Sequence, residues 1–153
     1  MKRTVALKLI VSQEQSDALL ETQKAFANAC NQAIPFVIGN RCWNRVALHH
    51  LCYYQIRESI PSLGSQMVCN SLHKVCSSYK VLKIKKSQDI PAITFKDTGS
   101  VHYDKRTYSF KDNILSLYTT KGRIKCEFTK GDFQREYLER GAVKEAELIR
   151  KGK

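Results

Sequence analysis

The chain has 153 residues, 42% of them hydrophobic and 26% charged, the make-up of an ordinary globular protein of one domain or two small lobes. Its 26 lysines and arginines against 14 aspartates and glutamates leave a net charge of +12, a surplus that points to a polyphosphate partner. No run approaches about 18 apolar residues and no basic amphipathic helix shows a wide apolar face, so neither a membrane span nor a membrane surface is expected.

The opening MKRTVALKLIVS is interrupted by Lys8 and followed by no small-residue cleavage site, so it is not a secretory leader and a cytoplasmic location is expected. Residues 4–11 alternate, with Val5, Leu7, Leu9 and Val11 on one face, which predicts a strand. Ser12 to Gln15 fits a capping box and starts a helix whose apolar stripe is Leu19, Phe26, Cys30 and Ala33. Pro35 and Gly39-Asn40 are expected to end it. Asn44 caps a second helix over 45–58, with Val46, Leu48, Leu51, Cys52 and Ile56 apolar, and with one of His49 and His50 inward and the other solvated. Pro61 and Gly64 punctuate, and Ser65 is expected to cap a third helix over 66–85 with Val68, Leu72, Val75, Tyr79 and Leu82 on its apolar face. Lys74, Lys80, Lys83, Lys85 and Lys86 crowd its second half without a Glu at i−4. Such a one-signed run suits phosphate contact as well as a solvated face.

Residues 91–140 hold three short β-branched and aromatic runs, at 92–95, at 108–110 extending through 114–118, and at 123–128. Turn residues at 97–100, 111–113 and 119–122 separate them, so antiparallel strands are predicted. Lys96, Lys105, Arg106, Lys111, Lys121, Arg123, Lys125 and Lys130 are interleaved with the aromatics, a pattern suited to a nucleic-acid backbone. Residues 132–139 predict a helical turn, and 142–153 reads as helix by propensity alone.

Six cysteines occur without a CxxC pair, in a chain too large to depend on a disulfide framework. Cys69-x3-His73-x2-Cys76, with His49-His50-x-Cys52 as a partner, is the nearest approach to a zinc pattern. The preferred reading is of small buried thiols beside a surface histidine, so no metal and no cofactor is expected. There is no P-loop, GxSxG, HExxH or dinucleotide fingerprint, and the sparse aspartates Asp89, Asp97, Asp104 and Asp112 read as turn formers, so no catalytic residue is expected.

After the opening strand and helical pair come SQMVCNSLHKVCSSYK, FKDTGSVHYDKRTYSF and LSLYTTKGRIKCEFTKGDFQREYLERGAVKEAELI. In this order the chain resembles the N-terminal half of the TnpB family. These are transposon-encoded RNA-guided DNA endonucleases, also described as OrfB-type transposases and akin to type V CRISPR effectors. The resemblance covers nearly all of the chain; its most specific pieces are YDKRTY at 103–108, TKGR at 120–123, and GDFQR at 131–135 with Tyr137 and Leu138. It implies an α+β fold. An incomplete antiparallel oligonucleotide-binding-like β-barrel, the wedge, takes residues 1–12 and 87–153, and a helical recognition lobe of about three helices is inserted over 13–86.

The resemblance further implies that the helix beginning at Ser65 faces a short DNA motif, with Ser65, Gln66, Cys69 and Asn70 on its groove side. Lys105, Arg106, Lys121 and Arg123 then hold guide RNA, and Tyr103 is counted among the nucleic-acid-binding residues with Lys74, Lys80 and Lys83. AVKEAELIR becomes a barrel strand, against its local helix propensity. In the family the RuvC-like nuclease domain and a zinc finger follow beyond this stretch, so cutting is not expected of this chain alone. The expected function is binding of structured, guide-like RNA and double-stranded DNA by a truncated or split protein. The alternatives are a non-functional transposon remnant, or a guide-binding subunit completed by a separate C-terminal nuclease chain.

Overall fold

In the computed structural model, which describes residues 4–111, 114–129 and 145–150, a short strand β1 (Lys8–Ile10) leads into helix α1 (Gln13–Asn40). The capping box is formed: Ser12 Oγ accepts from the Gln15 N–H at 3.2 Å, and Gln15 Oε1 accepts from the Ser12 N–H at 3.1 Å. Pro35 does not end α1. It lies inside the helix on the solvent side, where its cost of about 3 kcal/mol or more is offset by burial of Ala33, Ile34 and Val37 beside it. The helix ends at Asn40, as the Gly39-Asn40 pair predicts, with Arg41 as its left-handed C-cap at φ 46°. Its guanidinium donates to the carbonyls of Gln88 and Lys85 at 2.9 and 3.2 Å, which ties this strained cap to the loop beyond the third helix.

Asn44 caps α2 (Arg45–Ser59) as expected, accepting from the amides of Val46 and Ala47. Helix α3 (Ser65–Lys80) departs from expectation at both ends. Its N-cap is Gly64, not Ser65, and α3 ends at Lys80, with Lys83 in a left-handed conformation at φ 48°. Lys83, Lys85 and Lys86 therefore belong to the following loop, and Leu82 is solvent-exposed rather than part of the apolar face.

Strands β2 (Val101–Tyr103), β3 (Tyr108–Lys111), β4 (Ile114–Thr119), β5 (Gly122–Thr129) and β6 (Ala146–Leu148) complete an α+β fold. β1, β5, β4 and β3 form, in that order, an antiparallel four-stranded sheet, and β2 pairs with β6 in a separate two-stranded one. Among the described residues there is no closed barrel. Lys8 stands opposite Thr129, so the helices lie in the chain between two strands that are neighbours in the sheet.

Among the described residues the strand expected at 92–95 pairs with no other strand, whereas β2 falls on 101–103, a run too short to stand out from the turn before it. The helix read from propensity at 142–153 is replaced at 146–148 by β6, with Val101 opposite Leu148 and Tyr103 opposite Ala146. Pairing with β2 outweighs local preference there. The helical turn expected at 132–139, and the middle of the turn at 112–113, lie outside the described residues. The Thr119–Gly122 turn is as expected: Gly122 takes φ +93°, which a side chain disfavours, and Thr22 Oγ1 of α1 accepts from the Thr120 N–H at 3.0 Å.

Phe26, Cys30 and Val37 of α1, Leu48 and Ile56 of α2, and Met67, Leu72 and Tyr79 of α3 share one continuous core with Val101, Tyr103, Tyr108 and Leu117 of the strands. Each large side chain buried there contributes roughly 1.5–3 kcal/mol. No helix among the described residues is long and apolar enough to cross a membrane.

Candidate nucleic-acid interface

Asp104-Lys105-Arg106-Thr107, the turn between β2 and β3, is braced by its own ends. Asp104 Oδ1 accepts from the Arg106 N–H at 3.2 Å and from the Thr107 hydroxyl at 3.0 Å, while Thr107 Oγ1 accepts from the Asp104 N–H at 2.9 Å. Asn70 of α3 donates to Thr107 Oγ1 and to the His102 carbonyl at 3.3 and 3.2 Å. An Asp side chain bonding two residues onward is a turn device. Here its effect is to hold Lys105 and Arg106 out in solvent on a rigid base.

Gln66, in the first turn of α3, joins this turn to the helix. Its Nε2 donates to Asp104 Oδ2 at 2.8 Å, and its Oε1 accepts from an Arg106 guanidinium nitrogen at 3.0 Å. Arg123 of β5 continues the chain of bonds, donating to the Arg106 carbonyl at 2.8 Å and to Ser116 Oγ at 3.0 Å. Two exposed guanidinia are thus each held by hydrogen bonds, one to Gln66 and the other to the Arg106 backbone, and a guanidinium's five donors leave several over for an anion. Arg45, at the start of α2, stands close enough to α3 for its charge to act on Cys69 and His73. Burial raises the Cys69 thiol pKa while Arg106 and Arg45 oppose it, and burial lowers the His73 pKa with Arg45 and His102 adding to the effect.

The residues singled out from sequence fall into two groups. Ser65, Lys80, Lys83, Lys105, Arg106, Lys121 and Arg123 are exposed, and Lys121 forms a surface pair with Glu21 at 3.6 Å. Gln66 is half-buried with both ends of its amide engaged. Asn70 and Tyr103 lie in the interior. The Tyr103 hydroxyl donates to the Tyr118 carbonyl at 2.8 Å, and burial raises its pKa, so its ring offers no stacking surface. Lys74 is half-buried; its Nζ donates to the Ser100 carbonyl and hydroxyl at 2.5 and 3.1 Å and stands 5.7 and 5.5 Å from the ring centres of Phe26 and Phe95. Lys74 is an internal clamp on the loop before β2.

Asp104 and Thr107 join the site through the turn they brace, and Arg45 lies near α3. The Asp-x-x-Thr spacing in YDKRTY was the one local signal for the braced turn; Arg45 had none, because only packing of α2 on α3 brings it near. Cys69, His73 and Cys76 do not converge. Cys76 is buried, all six cysteines are free thiols, and His73 instead faces His102, with ring centres 4.9 Å apart. Of the two neighbouring histidines on α2, His49 is half-buried and stacks on Tyr53 at 4.3 Å, and His50 is exposed. In comparison with known proteins, no family model and no curated protein matches the chain.

Proposed function

We propose that this chain binds nucleic acid through its phosphates, with Arg106 and Arg123 as the fixed contacts and the exposed Lys105 next to Arg106 in the same turn. Arg45, Lys80 and Lys83 are further exposed cations that the reading includes. The observation that carries the reading is the chain of bonds from Gln66 through Arg106 to Arg123, which holds two guanidinia in place on a protein of net charge +12. Guanidinium forks match phosphate geometry, and fixing them beforehand lowers the ordering cost of binding. Lys74, Asn70 and Tyr103 are engaged inside the fold, and the interface proposed here does not use them.

The finer reading follows the resemblance to the N-terminal half of TnpB-type proteins. Structured RNA of guide type and double-stranded DNA are the partners, and the part this stretch plays is binding. The two sheets are then walls of an incomplete oligonucleotide-binding-like barrel (residues 1–12 and 87–153), and the helices over 13–86 are the inserted recognition lobe. The pairing of β1 with β5 across the helical segment supports this interrupted topology. A cytoplasmic location follows from the same reading.

The test is fluorescence anisotropy with a labelled RNA hairpin and a labelled DNA duplex across a salt series. Affinity is expected to fall steeply with salt, and each of Lys105→Gln, Arg106→Gln and Arg123→Gln is expected to lower the log–log slope by about one. Binding that is absent, or independent of salt, overturns the proposal and leaves an inert remnant as the reading.

A further inference from the structure

His73, His102 and Glu145 come from three separate places in the chain, namely α3, β2 and the residue before β6. Their ligand atoms nevertheless all lie within 4.8 Å of one another. His102 Nε2 is 3.6 Å from Glu145 Oε2, and the rings of His73 and His102 are tilted at 32° with centres 4.9 Å apart. His73 Nδ1 is shut off from solvent and has no hydrogen-bond partner among the described residues. A buried polar nitrogen left this way is disfavoured, and native proteins usually supply it with a partner.

We propose that His73, His102 and Glu145 form a binding site for a divalent transition metal ion of the Zn2+ type, which fastens β6 to α3 and β2. Two imidazole nitrogens and one carboxylate oxygen suit Zn2+, Co2+ or Ni2+, and suit Mg2+ and Ca2+ poorly because those ions take oxygen ligands. With metal–ligand bonds of about 2.0–2.1 Å in a tetrahedron, donor atoms stand roughly 3.3–3.4 Å apart. The His102–Glu145 pair is already close to that separation at 3.6 Å. No donor pair exceeds 4.8 Å, a gap on the scale of side-chain rotation. Three protein ligands leave a fourth position for water or an anion. That position opens on the side of Glu145, whose side chain is 52% exposed against 13% for His102.

This departs from the expectation of no metal. Spacing along the chain carries no trace of such a site, because its ligands are joined only by the α3–β2 contact and the β2–β6 pairing. It is also distinct from a zinc site at Cys69, His73 and Cys76, which shares only His73 with it. The proposal stands independently of nucleic-acid binding.

The experiment uses the full chain without a tag, kept reduced with a phosphine. Zn2+ is titrated by isothermal calorimetry, and Co2+ by visible absorption. One equivalent of Zn2+ is expected to bind and to raise the thermal midpoint, while Mg2+ does neither. Co2+ is expected to show ligand-field bands without an intense thiolate band. Glu145→Gln and His102→Ala, both checked by circular dichroism for an intact fold, are each expected to weaken Zn2+ binding by about tenfold or more. The proposal is overturned by the lack of saturable binding at one equivalent, or by binding that both variants leave unchanged. A strong Co2+–thiolate band also overturns it, since that assigns the ion to the cysteines.

Discussion

Asn31, in the middle of α1, holds the backbone of Phe95 from both sides: its Oδ1 accepts from the Phe95 N–H at 2.8 Å, and its Nδ2 donates to the Phe95 carbonyl at 2.9 Å. One side-chain amide supplies the two bonds a neighbouring strand would otherwise make. That is how 92–95 is held beside a helix without pairing with a strand among the described residues. Asn31→Ala leaves both backbone groups unpaired in a half-buried place, so a loss of about 1–3 kcal/mol is expected in urea denaturation. Hydrogen exchange at the Phe95 amide should quicken well beyond that at Val101. An unchanged denaturation midpoint would show that solvent reaches the site and that the amide bridge is dispensable.

The N-cap of α3 is governed by Tyr118 of β4. A Cβ added at Gly64 would lie 2.6 Å from Tyr118 Cζ, closer than side chains tolerate, although φ −57° at Gly64 is open to any residue. Gly64→Ala is therefore expected to destabilise by overpacking, by about 1–3 kcal/mol. The penalty should largely vanish in a Tyr118→Ala background, which a double-mutant cycle measures. A penalty of the same size in both backgrounds would place its cause elsewhere.

These two contacts mark where local reading of the sequence stops. Ser12 with Gln15, Asn44, and the Thr119–Gly122 turn were legible because a cap or tight turn is decided by a few adjacent residues. Pro35 reads as a stop because its chemistry is local, and the burial that carries α1 past it is not. Ser65 reads as a cap for the same reason: the close approach to position 64 comes from the side chain of a tyrosine more than fifty residues away. The 92–95 run has strand composition, and only Asn31 explains why it pairs with a side chain. At the candidate interface, the basic residues of YDKRTY and TKGR were readable as exposed cations. Which lysine faces inward was not, since the commitment of Lys74 depends on Ser100, Phe26 and Phe95 meeting around it.

Lys74 therefore separates charge from binding. Lys74→Met removes one positive charge, as Lys105→Gln does, but takes it from an internal clamp. It is expected to cost about 1–3 kcal/mol of stability through the unpaired Ser100 carbonyl and the lost cation–aromatic contacts. It should leave the salt dependence of nucleic-acid binding close to that of the wild type. Measured side by side, Lys105→Gln should do the reverse, with stability within about 0.5 kcal/mol and a shallower salt slope. A Lys74→Met protein that is fully stable but binds with a shallower slope would place Lys74 in the interface.

The buried thiols make stability fall at alkaline pH. Burial pushes the Cys30 and Cys52 thiols up to about 12 and the Cys76 thiol up to about 11, from an ordinary value of 9.0. Cys30 Sγ also donates to the Ser71 carbonyl at 3.6 Å, and Cys52 Sγ to the Leu48 carbonyl at 3.2 Å, bonds that only the protonated forms can make. Below pH 9 both the folded and the unfolded chain keep these protons, and the thiols add no pH dependence. Between pH 9 and about 11–12 the unfolded chain has released them while the folded chain has not, so the unfolded state gains and stability declines as pH rises. Lysines titrate in the same range, so the informative comparison is between the wild type and Cys30→Ala. The variant starts less stable at pH 8 because it leaves a small cavity. Its urea midpoint should then fall less steeply than that of the wild type from pH 9 to 11, and the two curves should converge. Parallel curves would mean that the folded state opens before the thiol pKa is felt. In that case the native protein should also react at Cys30 with iodoacetamide near pH 9, whereas a closed core restricts labelling there to the half-exposed Cys42 and Cys69.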